Sequence, residues 1–241
     1  MQTESKGFRI NLSMEGNLYT LGGVHKSEGI YFSLISELRN PILELKLLAE
    51  ARGDLQAVTL AKQTLELFDG FLFLNDVTFS GDQLQLVPCN LASETDDILH
   101  GLEPLARIYD IGLKRSSTKA RVNAALDKQA YAHATHGLVY GAITSLQNKP
   151  GSIIQIHTSG GNTPSLRVFS PDLEHAIEPQ ASGRLKHMPL PQSDGIGSGF
   201  TLAKLLFQQL GSKLKYTNNQ FGHGVSAGFM PTKQLSLVDI I

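Results

Sequence analysis

The segment SELRNP, residues 36–41, holds the side chains best suited to chemistry. Ser36 offers a hydroxyl, but without an adjacent base a serine hydroxyl is a far weaker nucleophile than a neutral imidazole. Glu37 and Asn40 stand three positions apart, so in a helix their carboxylate and amide share one face. Pro41 follows, and a proline inside a helix costs about 3 kcal/mol and kinks it. The segment is therefore a costly and specific feature.

A second segment with chemical potential is GIGSG, residues 195–199. Gly195, Gly197 and Gly199 alternate just before an apolar helical pattern that ends near Gly211. Glycines in such a place let backbone N–H groups approach phosphates at a helix N-terminus. Glycines also form ordinary turns, so both interpretations stay open at this point.

Composition excludes several kinds of site and partner. The chain has 241 residues, 41% of them hydrophobic, and a formal net charge of -1, which gives no general attraction to nucleic acid or anionic membranes. Cys89 is the single cysteine and the eight histidines are scattered, so we expect neither a disulfide nor a metal site. No apolar stretch approaches the roughly 20 residues of a membrane span, and residues 1–12 lack a signal-peptide layout. We therefore expect a soluble, cytoplasmic protein.

Two apolar seams predict a helical hairpin over residues 28–80. The first seam comprises Phe32, Ile35, Leu38, Ile42, Leu45 and Ala49, and the second comprises Val58, Ala61, Leu65, Phe68 and Leu72. The letters ARGD, residues 51–54, predict the turn between them. A lone hairpin exposes its apolar stripe, so it must pair with a second copy or dock on the rest of the chain. A homodimeric four-helix bundle satisfies both seams. Residues 1–27 form an N-terminal segment in which alternation over residues 8–21 predicts a small hairpin.

Residues 81–241 mix helical and strand patterns, which predicts an α/β sandwich and an α+β fold overall. Helices are predicted at residues 90–109, 127–147 and 199–211. Strands are predicted at residues 83–88, 111–115, 120–126, 152–159, 165–170, 213–219 and 223–231.

This order of elements, with SELRNPI at its start, resembles the cytoplasmic core of two-component sensor histidine kinases over residues 28–235. In that family the first residue of the segment is the histidine that accepts the phosphoryl group, and here it is Ser36. The acidic residue that follows is a general base, here Glu37. A phosphoserine is a stable ester rather than a high-energy phosphoramidate, so the resemblance implies that Ser36 is inactive as an acceptor.

The family's nucleotide-binding boxes are only partly kept. Two asparagines and a lysine of the family fall on Gly137, Gly141 and Thr144, and a glycine at the magnesium-binding position offers no oxygen to a hard cation. The adenine-reading aspartate falls on Ser170, or on Asp172 after a slip of two, and neither alignment restores the glycines around it. By contrast, the last glycine-rich box matches at Gly195, Gly197 and Gly199. We expect His133 and His136, on the same predicted helix as Gly137, to be surface or partly packed side chains and not ligands.

The resemblance implies a degenerate signalling protein, a pseudo-kinase without histidine autokinase activity and without a bound cofactor, ATP and magnesium included. Its expected partners are a second copy and either a response-regulator receiver domain or a partner histidine kinase whose phosphorylation it modulates. Two alternatives stay open. Glu37 and Asn40 have the Glu-x-x-Asn spacing that supports dephosphorylation of a receiver aspartate in the family. The retained glycines could support residual ATP binding. An ordinary α/β domain with a coiled-coil handle is the interpretation outside signalling.

Overall fold

A computed structural model describes residues 24–80, 83–118, 123–173, 197–219 and 222–232. The small hairpin predicted within residues 8–21 and Gly195 lie outside the described residues. The domain limits predicted at residues 27 and 80 stay predictions. The second limit coincides with a π-helical turn, Asp76–Ser80, which follows the hairpin.

The predicted helical hairpin is present. Helix α1 covers Val24–Arg52 with Pro41 in its interior, and α2 covers Leu55–Asn75. Gly53 adopts a positive φ of 70° between them, a conformation that suits glycine because it has no Cβ. Asp54 caps α2, since its side chain accepts a hydrogen bond from the Ala57 N–H. Arg39 on α1 forms an ion pair with Asp69 on α2 at 2.9 Å.

Residues 83–232 form the predicted sandwich within the described ranges. Three further helices are α3, Leu91–Ile108, α4, Lys128–Ser145, and α5, Gly197–Gln209. The strands are β1, Val87–Asn90, β2, Gly112–Ser117, β3, Asn123–Leu126, β4, Ile153–Ser159, β5, Ser165–Ser170, β6, Lys215–Asn219, and β7, Gly222–Gly228. None of the helices within the described ranges is both long and apolar enough to cross a membrane.

The strands form two sheets. β1 and β3 make an antiparallel pair, and the other five strands have the order β2-β4-β5-β7-β6, in which only β2 and β4 run parallel. One face of the larger sheet is apolar, with Ile156, Val168 and Val225 buried against the helices. Strand pleating sends alternate residues to the opposite face, which is polar.

Two helices of the sandwich begin at residues whose side chains cap them. Asn90 accepts hydrogen bonds from the N–H groups of Ala92 and Ser93 at the start of α3, and Asp127 accepts one from Ala130 at the start of α4. The strand predicted at residues 83–88 is wrong in position, because pairing with β3 begins only at Val87. Alternation over residues 83–86 marks an extended approach to the sheet and not a paired strand.

The hairpin docks on the sandwich through α2. Its buried residues Gln63, Leu67, Gly70 and Leu74 are spaced as one helical face. This face lies against α4 and α5, and Leu67 and Leu74 belong to the same core cluster as the sandwich. The sequence left open whether the hairpin docks on its own chain or on a second copy, and α2 does the former.

Candidate functional site

The predicted acceptor segment lies in the middle of α1 with its polar side chains facing solvent. Ser36, Glu37 and Asn40 are all exposed in the single chain. The Ser33 hydroxyl lies 3.5 Å from a Glu37 carboxylate oxygen, at the limit of a hydrogen bond. The Asn40 amide has no hydrogen-bond partner within the described residues, so it can approach a second protein. The carboxylate and the amide are available together on a solvent-facing helix surface.

An exposed apolar stripe runs along α1 beside these polar side chains. Its leucines are between 43% and 57% exposed: Leu34, Leu38, Leu45 and Leu48. Their spacing of four, seven and three residues places them on one side of the helix. Ile35, Ile42 and Ala49 lie more deeply, on the side where Arg39 meets α2. The predicted first seam is thus divided, with Leu38 and Leu45 left uncovered by the described part of the chain.

The two glycine-bearing helices touch through their backbones at Gly137, the position that the sequence alignment gives to a family asparagine. A Cβ built on Gly137 of α4 would lie 2.8 Å from the carbonyl oxygen of Gly199 on α5. In turn, a Cβ on Gly199 would meet the backbone of Gly137 and, at 3.3 Å, the nitrogen of Gly141. All three glycines are buried. The space that an asparagine at position 137 would need is occupied by the neighbouring helix.

Two of the three glycines predicted to bind phosphate lie at the start of α5. Gly197 opens the helix with a φ of 54°, and Gly199 follows inside the first turn. Of these glycines, Gly199 packs against the backbone of α4, whereas Gly197 is only partly buried. Thr144, at the family's lysine position, directs its hydroxyl to the carbonyls of Tyr140 and Gly141 on its own helix.

Ser170 and Asp172, the two candidates for the adenine-reading position, are engaged with the protein. Ser170 is buried at the end of β5 and its hydroxyl accepts from the Asp172 N–H at 3.3 Å. A carboxylate oxygen of Asp172 accepts from the Ser152 hydroxyl at 3.0 Å, and its carbonyl accepts from Lys149. Both residues therefore take part in hydrogen bonds that hold the end of β5 and the residues after it in place.

His136 lies in the contact between the hairpin and the sandwich. Its Nε2 is 2.7 Å from Gln63 Oε1 on α2, and Gln63 in turn donates through Nε2 to the Gly101 carbonyl on α3 at 3.0 Å. Burial, with smaller effects from His133 and Lys62, lowers the pKa of His136 to about 4. The ring is therefore neutral at pH 7, and its Nε2–H donates to Gln63.

His133 fills the same contact one turn earlier. Its ring packs against Phe73 of α2, with centroids 5.5 Å apart, and burial lowers its pKa against the opposing influence of Glu66 and Asp69. Gly70 makes room for this packing, since a Cβ there would lie 2.7 Å from Leu202 on α5 and 3.3 Å from His133. Both histidines are partly packed, as predicted, and the described residues contain no group of three or more metal-ligating side chains.

Sequence reasoning missed the α2 interface. The signal was present in Gln63 and Gly70, two residues ill suited to a purely apolar seam that nevertheless share a face with Leu67 and Leu74. A polar side chain and a glycine on one helix face indicate a close contact with a polar partner, here His136.

Comparison with known proteins gives a consistent result at the level of the fold. No protein-family model matches the chain, and no curated protein does. Among solved structures, the histidine kinase AdeS of Acinetobacter baumannii is 15% identical, with 82% of this chain and 98% of that chain covered at a TM-score of 0.54. The nucleotide-free catalytic domain of histidine kinase ThkA is 16% identical over 62% of this chain and 97% of that chain, at a TM-score of 0.51.

Full-length ShkA, solved in complex with AMPPNP, is similar as well. It is 16% identical to this chain, and the match covers 85% of this chain and 45% of ShkA at a TM-score of 0.51. At such identities the likeness concerns the fold and not the activity. The alignment with AdeS extends over most of the chain, as the resemblance in the sequence does. The chain has the fold of the histidine-kinase core, with a helical hairpin followed by an ATPase-type α/β sandwich.

Proposed function

We propose that this protein is a signalling pseudo-kinase that binds a response-regulator receiver domain or a partner histidine kinase and modulates its phosphorylation. The observation that carries the proposal is the backbone contact between Gly137 and Gly199 in a histidine-kinase fold. The scaffold of the family is present, while the position of a nucleotide-binding asparagine is taken up by helix packing.

Two further residues support the loss of kinase chemistry. Ser36 stands at the position of the phospho-accepting histidine, and no described base activates its hydroxyl, because the nearby Glu37 carboxylate lies next to Ser33 instead. Gly141 stands at the magnesium-binding position and offers no oxygen ligand. We therefore propose that the protein neither phosphorylates itself nor depends on ATP and magnesium.

The docking surface of the proposal is the solvent-facing side of α1 around Ser36, Glu37 and Asn40. The test is surface plasmon resonance of the immobilised full chain against receiver domains from the same genome. Asn40→Arg should abolish the binding of the cognate domain, and Gln56→Arg, at an exposed position on α2, should leave it intact.

A second test asks whether the chain phosphorylates itself. Incubation with radiolabelled ATP should give no label on the chain. The proposal would be overturned if the wild-type protein became labelled and the Ser36→Ala variant did not.

Dimerisation is part of this proposal. The exposed leucine stripe of α1 supports it, because an unpaired apolar seam on a helical hairpin is stabilised by a second copy in a four-helix bundle. Analytical ultracentrifugation should give twice the chain mass, and Leu38→Glu with Leu45→Glu should give the monomer. A monomeric wild type at micromolar concentration would contradict it.

A phosphatase is the second candidate, favoured by the joint exposure of Glu37 and Asn40. Asn40 would orient a water towards a receiver phospho-aspartate, a reaction that needs no acceptor histidine. The measurement is the decay of a phosphorylated cognate receiver with and without the protein. An unchanged decay rate rules this candidate out, and an accelerated decay that Asn40→Ala abolishes supports it.

Residual ATP binding is the third candidate and rests on Gly197 at the start of α5. Isothermal titration with ATP and magnesium tests it directly. If wild type releases heat on binding ATP and Gly197→Ala does not, the result supports a regulatory nucleotide. If wild type releases no heat, residual ATP binding is ruled out.

A further inference from the structure

The face of the five-stranded sheet that lies opposite the helices carries positive charge, and none of its outward positions on the described strands is acidic. The core positions Ile154, Ile156, Leu166, Val168, Val225 and Ala227 define the inner face. The alternate positions of the strands therefore point outward. Strand register places five of them in one line across the sheet: Ser116, His157, Arg167, Ser226 and Lys215. Lys114 stands on the same face, two residues earlier on β2 and opposite Gln155.

The cations on this face are free to bind a partner. Lys114, Arg167 and Lys215 are exposed, and none of them forms an ion pair within the described residues. No Asp or Glu occupies an outward position of β2, β4, β5, β6 or β7. The chain as a whole has a net charge of -1, so the positive charge is a local property of this face.

His157 responds to the potential of this face. Its Nδ1 lies 2.9 Å from the Ser116 hydroxyl, and it stands directly opposite Arg167 in the register. Burial lowers the pKa of His157, and the charge of Arg167 lowers it further. Among the described residues no carboxylate acts in the opposite direction.

We propose that this sheet face, the basic face, docks an acidic segment of a partner protein. The strands that carry Lys114, Arg167 and Lys215 are each about two strand separations, or about 10 Å, from the next of the three. The carboxylates of an acidic peptide can match this spacing. Ser226, which lies between Arg167 and Lys215 in the register, can add a hydrogen bond to a carboxylate oxygen. The basic face lies on the opposite side of the sheet from the helices, so it goes beyond the surface on α1 and does not depend on the proposed function.

Other anionic partners fit less well. A nucleic acid calls for several phosphate contacts and, when single-stranded, for exposed aromatic rings. The aromatic side chain at an outward position of the described sheet is Phe169, which is only 8% exposed. A membrane surface calls for a cluster of about four to eight Lys and Arg residues, more than the described face provides. Three exposed cations and several hydroxyls suffice for a short acidic peptide.

The size of the basic face predicts a transient contact. Five strands at ordinary spacing and five to seven residues of rise give a face about 20 Å on each side, or roughly 400 Å². That is about half of what each partner buries in a stable complex. Binding should therefore be weak and should fall steeply with salt, because the charges are exposed.

The test uses a fluorescein-labelled peptide of alternating Glu and Ser, a single-stranded oligonucleotide of equal charge and vesicles containing phosphatidylserine. Fluorescence anisotropy with the full chain at low ionic strength should show binding of the acidic peptide. Arg167→Glu should weaken it ~10-fold, since it replaces attraction with repulsion at the centre of the basic face. Lys204→Glu makes the same charge change on the exposed side of α5 and should weaken it less than ~2-fold.

An NMR readout separates docking from a loss of folding. The pKa of His157 should rise when the peptide binds to wild type, because nearby carboxylates stabilise the charged imidazolium, and it should rise equally in Lys204→Glu. If Arg167→Glu does not fold, Arg167→Gln serves in its place, with a smaller loss of affinity. Equal weakening by Lys204→Glu, tighter binding of the oligonucleotide or vesicles than of the peptide, or no peptide binding at low salt would each overturn the proposal.

Discussion

Replacing Gly137 with alanine tests the close helix contact that occupies the expected nucleotide position. The new Cβ would lie 2.8 Å from the Gly199 carbonyl oxygen and 3.4 Å from the Leu202 side chain. Contacts under 3.0 Å do not persist, so α4 and α5 must separate by a few tenths of an ångström. The neighbouring atom belongs to the backbone of another helix and cannot rotate away.

Two opposing effects set the magnitude. Alanine is favoured over glycine in a helix interior by about 1 kcal/mol, and overpacking a well-filled core costs typically 1–3 kcal/mol, or about 2 kcal/mol at mid-range. Because the obstacle is backbone, we expect the upper part of that range and a net loss of roughly 1–2 kcal/mol in the free energy of unfolding. For a chain of this size that corresponds to about 2–8 °C in Tm.

Gly101→Ala is the matched control. Gly101 lies inside α3, is exposed, and a Cβ built there would meet no atom within 4 Å, so only the propensity gain applies. It should raise the free energy of unfolding by about 0.5–1 kcal/mol. Urea denaturation followed by circular dichroism measures both variants. If Gly137→Ala proves as stabilising as Gly101→Ala, α4 and α5 are not in backbone contact at this point, and the expected nucleotide position is not closed by helix packing.

Three further predictions concern the hairpin interface and a cap. Gln63→Ala should lower the free energy of unfolding by about 2 kcal/mol, because it leaves the half-buried His136 N–H and the Gly101 carbonyl without their partner. Gln56→Ala, on the exposed side of α2, should change it by less than about 0.5 kcal/mol. The folded pKa of His136, about 4, lies below its unfolded value, so stability is fully present above pH 6.5 and falls as the pH drops towards 4, by roughly 3 kcal/mol in total. The urea midpoint of wild type should fall across this pH range, and that of His136→Gln should change less. An equal dependence on pH in the two proteins would show that His136 is not the cause. Asn90→Ala should cost about 1 kcal/mol through loss of the α3 cap, measured by the same denaturation.

The sequence predicted what depends on local pattern. Two predicted helices begin at residues 90 and 127, and in the structure Asn90 and Asp127 cap the helices that follow, a local arrangement that needs no tertiary information. The hairpin turn at Gly53 and Asp54 was predictable for the same reason. The strand at residues 83–88 was placed too early, because alternation does not reveal where a pairing partner begins.

The parts that depend on which surfaces meet were not predictable. The seam on α1 was interpreted as one stripe, but Ile35 and Ile42 lie towards α2 while Leu38 and Leu45 stay exposed. A heptad pattern alone cannot assign neighbouring positions to one partner or another. The alignment put a glycine at position 137 where the family has an asparagine, but nothing in the sequence indicated the helix that lies against it.

The missing asparagine at position 137 and the tight packing of α4 on α5 have the same physical cause. A glycine removes a side chain that would reach into a nucleotide site, and it also removes the Cβ that would keep the helices apart. Once the backbones meet, the buried contact stabilises the sandwich without any ligand between them. Gly70 also allows a close approach where α2 meets α4 and α5, but there the neighbouring atoms belong to the side chains of Leu202 and His133. Small residues at both contacts bring the helices close together, and the residues of α2 belong to the same core cluster as those of the sandwich.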